Sequence, residues 1–271
     1  MRRSARLLGR AALVSQRHAP RGSRACSSSS DTFGPPLLAD SYDPRRLTIC
    51  LDLDECLIHC RAEEDADGES LSFMEASGPE AVRAASAHDR LHSSKRAKAV
   101  RRFAPADAEL DLPYLDAPLL LHKRPLLDDF LAEAAKLGEL VLYTSAADSY
   151  ARLAHEQLDP SGALFEGRVL TRADCAVVDH VYVKDLQRLN RPLSRLVCVD
   201  DHVASCMMTP DNLAPIRPFL GDPEDRELST MLPLLRTLAV NNTSDVRDTL
   251  RGTFGLKARL LEELRRKKAS L

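Results

Sequence analysis

The sequence predicts an α/β protein built on a parallel sheet, and three observations carry that expectation. Short apolar runs rich in β-branched residues recur at 47–51, 139–144 and 196–199, the length and composition of buried strands. Between the first two lies a stretch in which Leu126, Leu127, Phe130, Leu131, Ala134 and Leu137 return at helical spacing. Two of the strand-like runs end in paired carboxylates, Asp52-x-Asp54 and Asp200-Asp201. Strands that alternate with helices imply parallel pairing through right-handed crossovers. The ligand crevice of such a sheet lies at the carboxyl ends of its strands. In a strand, residues i and i+2 share a side, so Asp52 and Asp54 are expected to emerge together.

Composition narrows the class. The chain has 271 residues, 44% of them hydrophobic and 29% charged, enough for a sizeable core under a polar surface. A net charge of −2 gives no overall nucleic-acid signature, and no nucleic-acid partner is expected. The seven cysteines (26, 50, 56, 60, 175, 198 and 206) include no zinc-like Cys-x-x-Cys pair. Cys50 and Cys198 sit inside apolar runs, as small core residues of a reducing compartment do. No apolar stretch approaches the length of about eighteen residues that a membrane span needs.

Along the chain, residues 1–40 stand apart as a transit-like or disordered segment. Arg2, Arg3, Arg6, Arg10, Arg17, Arg21 and Arg24 recur through Ala, Leu and Ser, and the first acid is Asp31. That composition is shared by mitochondrial and chloroplast transit peptides, so a mitochondrial or plastid address is expected, with a nuclear or cytoplasmic one as the alternative. Residues 45–240 read as the main folded domain, interrupted at 61–117 by an insert that begins acidic, becomes alanine-rich and turns basic from Lys95 to Arg102. The basic run reads as a solvated helix face or part of a disordered insert. Pro125 is placed at the first turn of a helix that Gly138 ends. A second helix runs through Tyr150, Leu153, Ala154 and Leu158 and stops at Asp159-Pro160. Leu164-Phe165, 168–170 and 181–183 have the pattern of short strands, a small β insertion, and 186–189 that of a helical turn. Residues 216–220 read as a short edge strand, Asp222 to Asp225 as a helix opening, and 241–271 as a helical extension.

Four elements then line up: Asp52-x-Asp54, Thr144 after the second strand, Lys184, and Asp200-Asp201. Each has a task in phosphoryl transfer. A carboxylate can attack phosphorus and carry the group as an aspartyl phosphate. A second carboxyl two residues on can protonate the leaving oxygen and then activate water. A hydroxyl and an ammonium can hold the charged oxygens, and several acids around one point call for a hard cation, Mg²⁺. Response-regulator receiver domains use similar parts with the acidic pair first; here Asp-x-Asp comes first and the adjacent pair last.

That order resembles the haloacid dehalogenase superfamily, and within it the small phosphatases of the RNA polymerase II C-terminal-domain type, the NLI-interacting-factor family. The resembling stretches are 51–59, Lys123-Arg124-Pro125, 142–146, Tyr150-Ala151, 182–186, Val199-Asp200-Asp201, Pro210-Asp211-Asn212, 225–228 and Leu232-Pro233. The resemblance implies a haloacid-dehalogenase-like Rossmannoid sheet flanked by helices, with a small β insertion and no large cap. It implies Asp52 as nucleophile, Asp54 as general acid/base, and Thr144 and Lys184 as phosphate ligands. Mg²⁺ would be held by Asp52, the Asp54 backbone carbonyl, and Asp201 or Asp200. The implied substrate is phosphoserine or phosphothreonine in a protein. Cys56 stands where the family usually has Thr, and Asp200-Asp201-His202-Val203 where many members have Asp-Asn-Ser-Pro. Two other readings accompany this one: a binding module similar to the receptor subunit of the mitochondrial inner-membrane translocase, and an organellar small-molecule phosphatase.

Overall fold

The structure, a computed structural model, describes residues 34–62, 103, 105–178, 181–240 and 245–258. Strand β1 (Leu47–Leu51) is buried at every residue and stands in the middle of a five-stranded sheet. On one side it pairs in parallel with β5 (Gly138–Tyr143), which pairs in turn with β6 (Val169–Leu170). On the other side it pairs in parallel with β9 (Leu196–Asp200), and β9 with β10 (Leu213–Pro215). Every pairing in this sheet is parallel, as the alternating pattern predicts. Register sets Leu51 opposite Leu142 and Val199, so β1, β5 and β9 finish at one edge and the residues after them share it. Gly138 lies opposite Leu47, where a Cβ would stand 2.1 Å from the Leu47 carbonyl oxygen. Only a residue without a side chain lets β5 approach β1 there.

Helix α1 (Leu127–Leu137) buries Leu127, Phe130, Leu131 and Ala134, and α2 (Asp148–Leu158) buries Tyr150, Ala151, Ala154 and Leu158. Asp128 and Asp129 occupy the first turn of α1, where carboxylates meet the positive end of the helix dipole. The residues of α3 (Glu227–Val240) buried in the same core are Leu228, Met231, Leu235 and Leu238. Asp225 accepts the Glu227 N–H at 3.0 Å, so the acid expected to open this helix does so. Helix α4 (Val246–Phe254) adds Val246 and Leu250 to that core; residues 259–271 lie outside the described residues. Among the described residues, Cys50, Cys56, Cys60, Cys198 and Cys206 are buried free thiols. No described helix is long and apolar enough to cross a membrane.

Several expectations are corrected. The insert is not uniform: β2 (Ile58–Ala62) and β3 (Ala108–Leu110) both pair antiparallel with β4 (Leu119–Lys123), so both margins of 61–117 belong to a three-stranded sheet. The basic run from Lys95 to Arg102 and the leader at 1–30 lie outside the described residues. The edge strand is β10, before residues 216–220, because the Ile216 N–H goes to the Asp200 carbonyl and the Phe219 N–H crosses to Glu55. Leu164 and Phe165 form a turn, since the Asp159 carboxylate accepts both of their N–H groups at 2.9 and 3.0 Å. β7 (Ala176–Val178) and β8 (Val181–Val183) form the small antiparallel pair expected of the β insertion.

Pro125 also moves. It precedes α1 instead of opening it: the Leu127 N–H returns to the Arg124 carbonyl at 3.1 Å, and Leu126 sits at φ 66°. This is a type II turn, with Pro at its second position and a left-handed residue at its third. Leu126 is half-exposed and gains little from burial. A left-handed leucine costs about 1–2 kcal/mol, part of which glycine's greater freedom in the unfolded chain offsets. Leu126→Gly should therefore raise the unfolding free energy by about 0.5 kcal/mol, read from urea titration; a loss of stability would show that the turn is not strained.

The antiparallel sheet holds a second test. His59 and His122 are cross-strand partners and both are buried. The Phe103 ring stacks on His59 at 6.1 Å, and the His59 Nε2 atom has no partner among the described residues. Burial, then the neighbouring His122 and Arg61, lower the pKa of His59 to about 4. A histidine held neutral contributes stability that is complete above its unfolded value near 6.5 and is lost as pH falls from there toward about 4. At pH 5 the loss from this group is about 2 kcal/mol. Urea midpoints at pH 7 and pH 5 should fall further apart in the wild type than in His59→Leu.

Candidate active site

β1 delivers Asp52, and its neighbour β9 ends in Asp200. The Asp52 N–H extends the pairing by one bond, to the Val199 carbonyl at 3.0 Å, which draws the two carboxylates together. Between them stands Lys184, the residue after β8. Its Nζ donates to Asp52 Oδ1 and to Asp200 Oδ2, both at 2.6 Å. The Lys184 side chain is almost wholly enclosed, and its own N–H is fixed by the Ser205 carbonyl at 2.7 Å. Asp200 is held from two further sides: Oδ2 accepts the Ser205 hydroxyl at 2.5 Å, and Oδ1 accepts the His202 N–H at 2.8 Å. Asp201 completes a group in which carboxylate oxygens of Asp52, Asp200 and Asp201 lie within 4.8 Å of one another.

One ammonium among three carboxylates leaves the cluster short of positive charge. Burial, despite the opposing Lys184, pushes Asp52 up to about 6, with Asp200 adding to the rise. Asp201 is driven well above the usual carboxylate range by burial and by the charges of Asp200 and Asp52. Burial alone would lower Lys184, but Asp200 and Asp52 hold it well above its ordinary value, so it stays a cation. Three mutually repelling oxygen donors at this separation fit a hard, oxygen-seeking divalent ion such as Mg²⁺. The side chain of Asp54 is outside that group. It turns toward α2, where its Oδ1 accepts the Tyr150 hydroxyl at 2.5 Å. The Asp54 carboxylate is therefore not one of these oxygen donors, and the contact that the family resemblance implies for Asp54 is that of its backbone carbonyl.

Thr144 follows β5 on the other side of β1 from Asp200. Its buried hydroxyl accepts the Ala146 N–H at 3.0 Å, which leaves its own O–H to donate elsewhere. Beyond Asp54 the chain makes a tight loop in which Glu55 adopts φ 56° and its N–H reaches the Ile58 carbonyl at 2.8 Å. Arg124 fastens that loop from outside. Its buried guanidinium donates to the Cys56 carbonyl at 2.9 Å, to the Arg217 carbonyl at 2.7 Å, and to both Asp225 oxygens at 2.8 and 2.9 Å. Cys56 fills the usual threonine position as a buried thiol aimed at the Val199 carbonyl, 3.7 Å away.

The structure thus joins Asp52, Lys184, Asp200 and Asp201 directly and sets Thr144 and Asp54 at the same edge. Sequence reasoning gave no task to Tyr150, Ser205 or Arg124. Tyr150 and Arg124 fall in stretches that carry the family resemblance, which gives neither a role, and Ser205 carries no pattern of its own.

Comparison with known proteins identifies the family. A family model described as NLI interacting factor-like phosphatase matches residues 47–247. A CTD small phosphatase-like protein 1 of Caenorhabditis elegans is 29% identical over 227 residues, 84% of this chain and 38% of that protein. The mitochondrial import inner membrane translocase subunit TIM50 of Yarrowia lipolytica is 35% identical over 133 residues, 49% of this chain and 28% of its own length. A CTD nuclear envelope phosphatase 1B of Danio rerio is 28% identical over 208 residues, covering 76% of this chain and 71% of that one. The matches to the first two relatives thus span well under half of their length. Among solved structures, the fission yeast RNA polymerase II CTD phosphatase Fcp1 bound to beryllium fluoride aligns at TM-score 0.43 and 25% identity, over 81% of this chain and 56% of that one. With three quarters of its length matched by the family model, the chain belongs to the NLI interacting factor-like phosphatases of the haloacid dehalogenase superfamily.

Proposed function

We propose that this protein is a Mg²⁺-dependent phosphatase that works through an aspartyl phosphate, with phosphoserine or phosphothreonine in proteins as its substrate. The observation that carries the reading is the Lys184 ammonium bound at 2.6 Å to both Asp52 and Asp200, with Asp201 alongside. In this reading Asp52 attacks phosphorus through the oxygen that does not face Lys184. Lys184 and the Thr144 hydroxyl take the phosphoryl oxygens and draw off their charge. Asp54 gives its proton to the leaving oxygen and takes one back from the water that opens the acyl phosphate. Asp52, Asp200, Asp201 and the Asp54 carbonyl would hold Mg²⁺, which supplies charge neutralisation at the phosphate when bound. Ser205, His202 and Arg124 touch no reacting atom; they fix Asp200 and the loop after Asp54.

A protein substrate is supported by family membership and by relatives that carry the name CTD phosphatase. The similarity to a TIM50 subunit favours a second reading, a partner-binding module on the same fold. The Arg-rich leader favours an organellar address for either.

The test uses the full chain with p-nitrophenyl phosphate and a phosphoserine peptide, each with Mg²⁺ or EDTA. Turnover should require Mg²⁺, stop with chelator, and fall by about three orders of magnitude or more in Asp52→Asn. Turnover of the aryl phosphate without the peptide would point to a small-molecule substrate. A folded protein inert on both, with Mg²⁺ present, would leave only the binding module.

A further inference from the structure

The geometry points to Tyr150 as a positioning residue for the proton transfer made by Asp54, an inference that rests on the function proposed above. Asp54 follows a strand end and begins a tight loop, so nothing in its own segment holds its side chain. The contact that does comes from α2, 96 residues away in sequence: the Tyr150 hydroxyl donates to Asp54 Oδ1 at 2.5 Å. Tyr150 is 1% exposed, in the first turn of that helix. A second polar group against its phenol is the Cys60 thiol, on β2 of the antiparallel sheet. The buried ring cannot swing to solvent, and its hydroxyl is aimed at Asp54.

The two oxygens of Asp54 then differ. Oδ1 accepts a hydrogen bond, which suits the carbonyl-like oxygen of a neutral carboxyl group. Oδ2 is buried and has no partner among the described residues. A buried carboxyl oxygen left without a partner is uncommon, and a functional role is one of its standard explanations. Here the missing partner is the leaving oxygen of the substrate. Tyr150 fixes Oδ1, so the proton is delivered from Oδ2; afterwards the same oxygen receives a proton from the attacking water. The balance is simple: the P–O bond breaks, its electron pair stays on the leaving oxygen, and the Oδ2 proton neutralises it. Tyr150 itself exchanges no proton.

This assignment separates substrates by their leaving group. An alkoxide such as that of serine needs the proton as the bond breaks, whereas p-nitrophenolate departs without it. General acid catalysis contributes roughly 10²–10⁴ in rate, and losing its alignment forfeits part of that. Tyr150→Phe keeps the ring and removes only the hydroxyl. With the full chain and Mg²⁺, the variant should lower kcat on a phosphoserine peptide at least about tenfold more than kcat on p-nitrophenyl phosphate, with KM for the peptide little changed. Asp54→Asn should show the same selectivity, more strongly. The Tyr150→Phe/Asp54→Asn double variant should be no slower on the peptide than Asp54→Asn alone, because the hydroxyl acts through that carboxyl.

Equal losses on both substrates, a loss confined to KM, or additive losses in the double variant would each overturn the inference while leaving the phosphatase intact. A faster Tyr150→Phe enzyme would overturn it too, since the phenol would then be restraining Asp54. A wild-type chain inert on both substrates would instead remove the proposed function, and this assignment with it.

Discussion

A single ammonium group sits where the ends of two neighbouring strands meet a third element. Lys184 arrives from a short antiparallel pair, Asp52 from the central strand and Asp200 from its neighbour, and both carboxylates bond the same nitrogen. Two acids packed this tightly in a buried crevice would repel one another and draw in water or protons. With the cation between them, repulsion becomes a clamp. Breaking such a buried arrangement by removing one partner is strongly unfavourable, because the remaining charge is left enclosed and unpaired. The surrounding hydrogen bonds follow from that need: Ser205 and the His202 N–H saturate Asp200, and the Ser205 carbonyl fixes the backbone of Lys184.

The second level of organisation is the loop after Asp54. Several of its carbonyl oxygens are met by distant segments: Cys56 and Leu57 by Arg124, Glu55 by the Phe219 N–H at 2.6 Å. Arg124 also binds Asp225, which in turn caps α3. One buried guanidinium thus connects the loop after Asp54, the segment after the edge strand and a core helix. Arginine suits this junction because its planar fork makes several directed bonds while its charge is met by a paired carboxylate.

How far the sequence reveals this depends on where each signal resides. β1, β5 and β9 are legible because a strand buried on both faces must be a continuous apolar run, and each run here ends at a polar residue. Helices α1 and α2 are legible from spacing. β3 and β7, three residues each, are not, because pairing with a neighbour and not local preference makes them strands. Leu126 is missed for a similar reason: the pattern of apolar residues includes it, while the turn that Arg124 and Pro125 impose excludes it from the helix. At the site, Asp52, Asp54, Thr144, Lys184 and Asp200-Asp201 are visible as a series of strand ends. Tyr150 is hidden, since a buried tyrosine on an apolar helix face looks the same whether or not its hydroxyl has work to do.

Gly138 lies at the end of the sheet opposite to the candidate site, yet it bears on it. Its missing side chain lets β5 close on β1 at Leu47, and register carries that closeness along six residues, about 20 Å, to Thr144. The sheet behaves as a stiff lever whose fulcrum is one absent carbon. Any larger residue at the fulcrum meets the Leu47 carbonyl oxygen and has to push the two strands apart at that end. The pairing that carries Asp52 and Thr144 to one edge thus depends partly on a residue at the opposite end of the sheet.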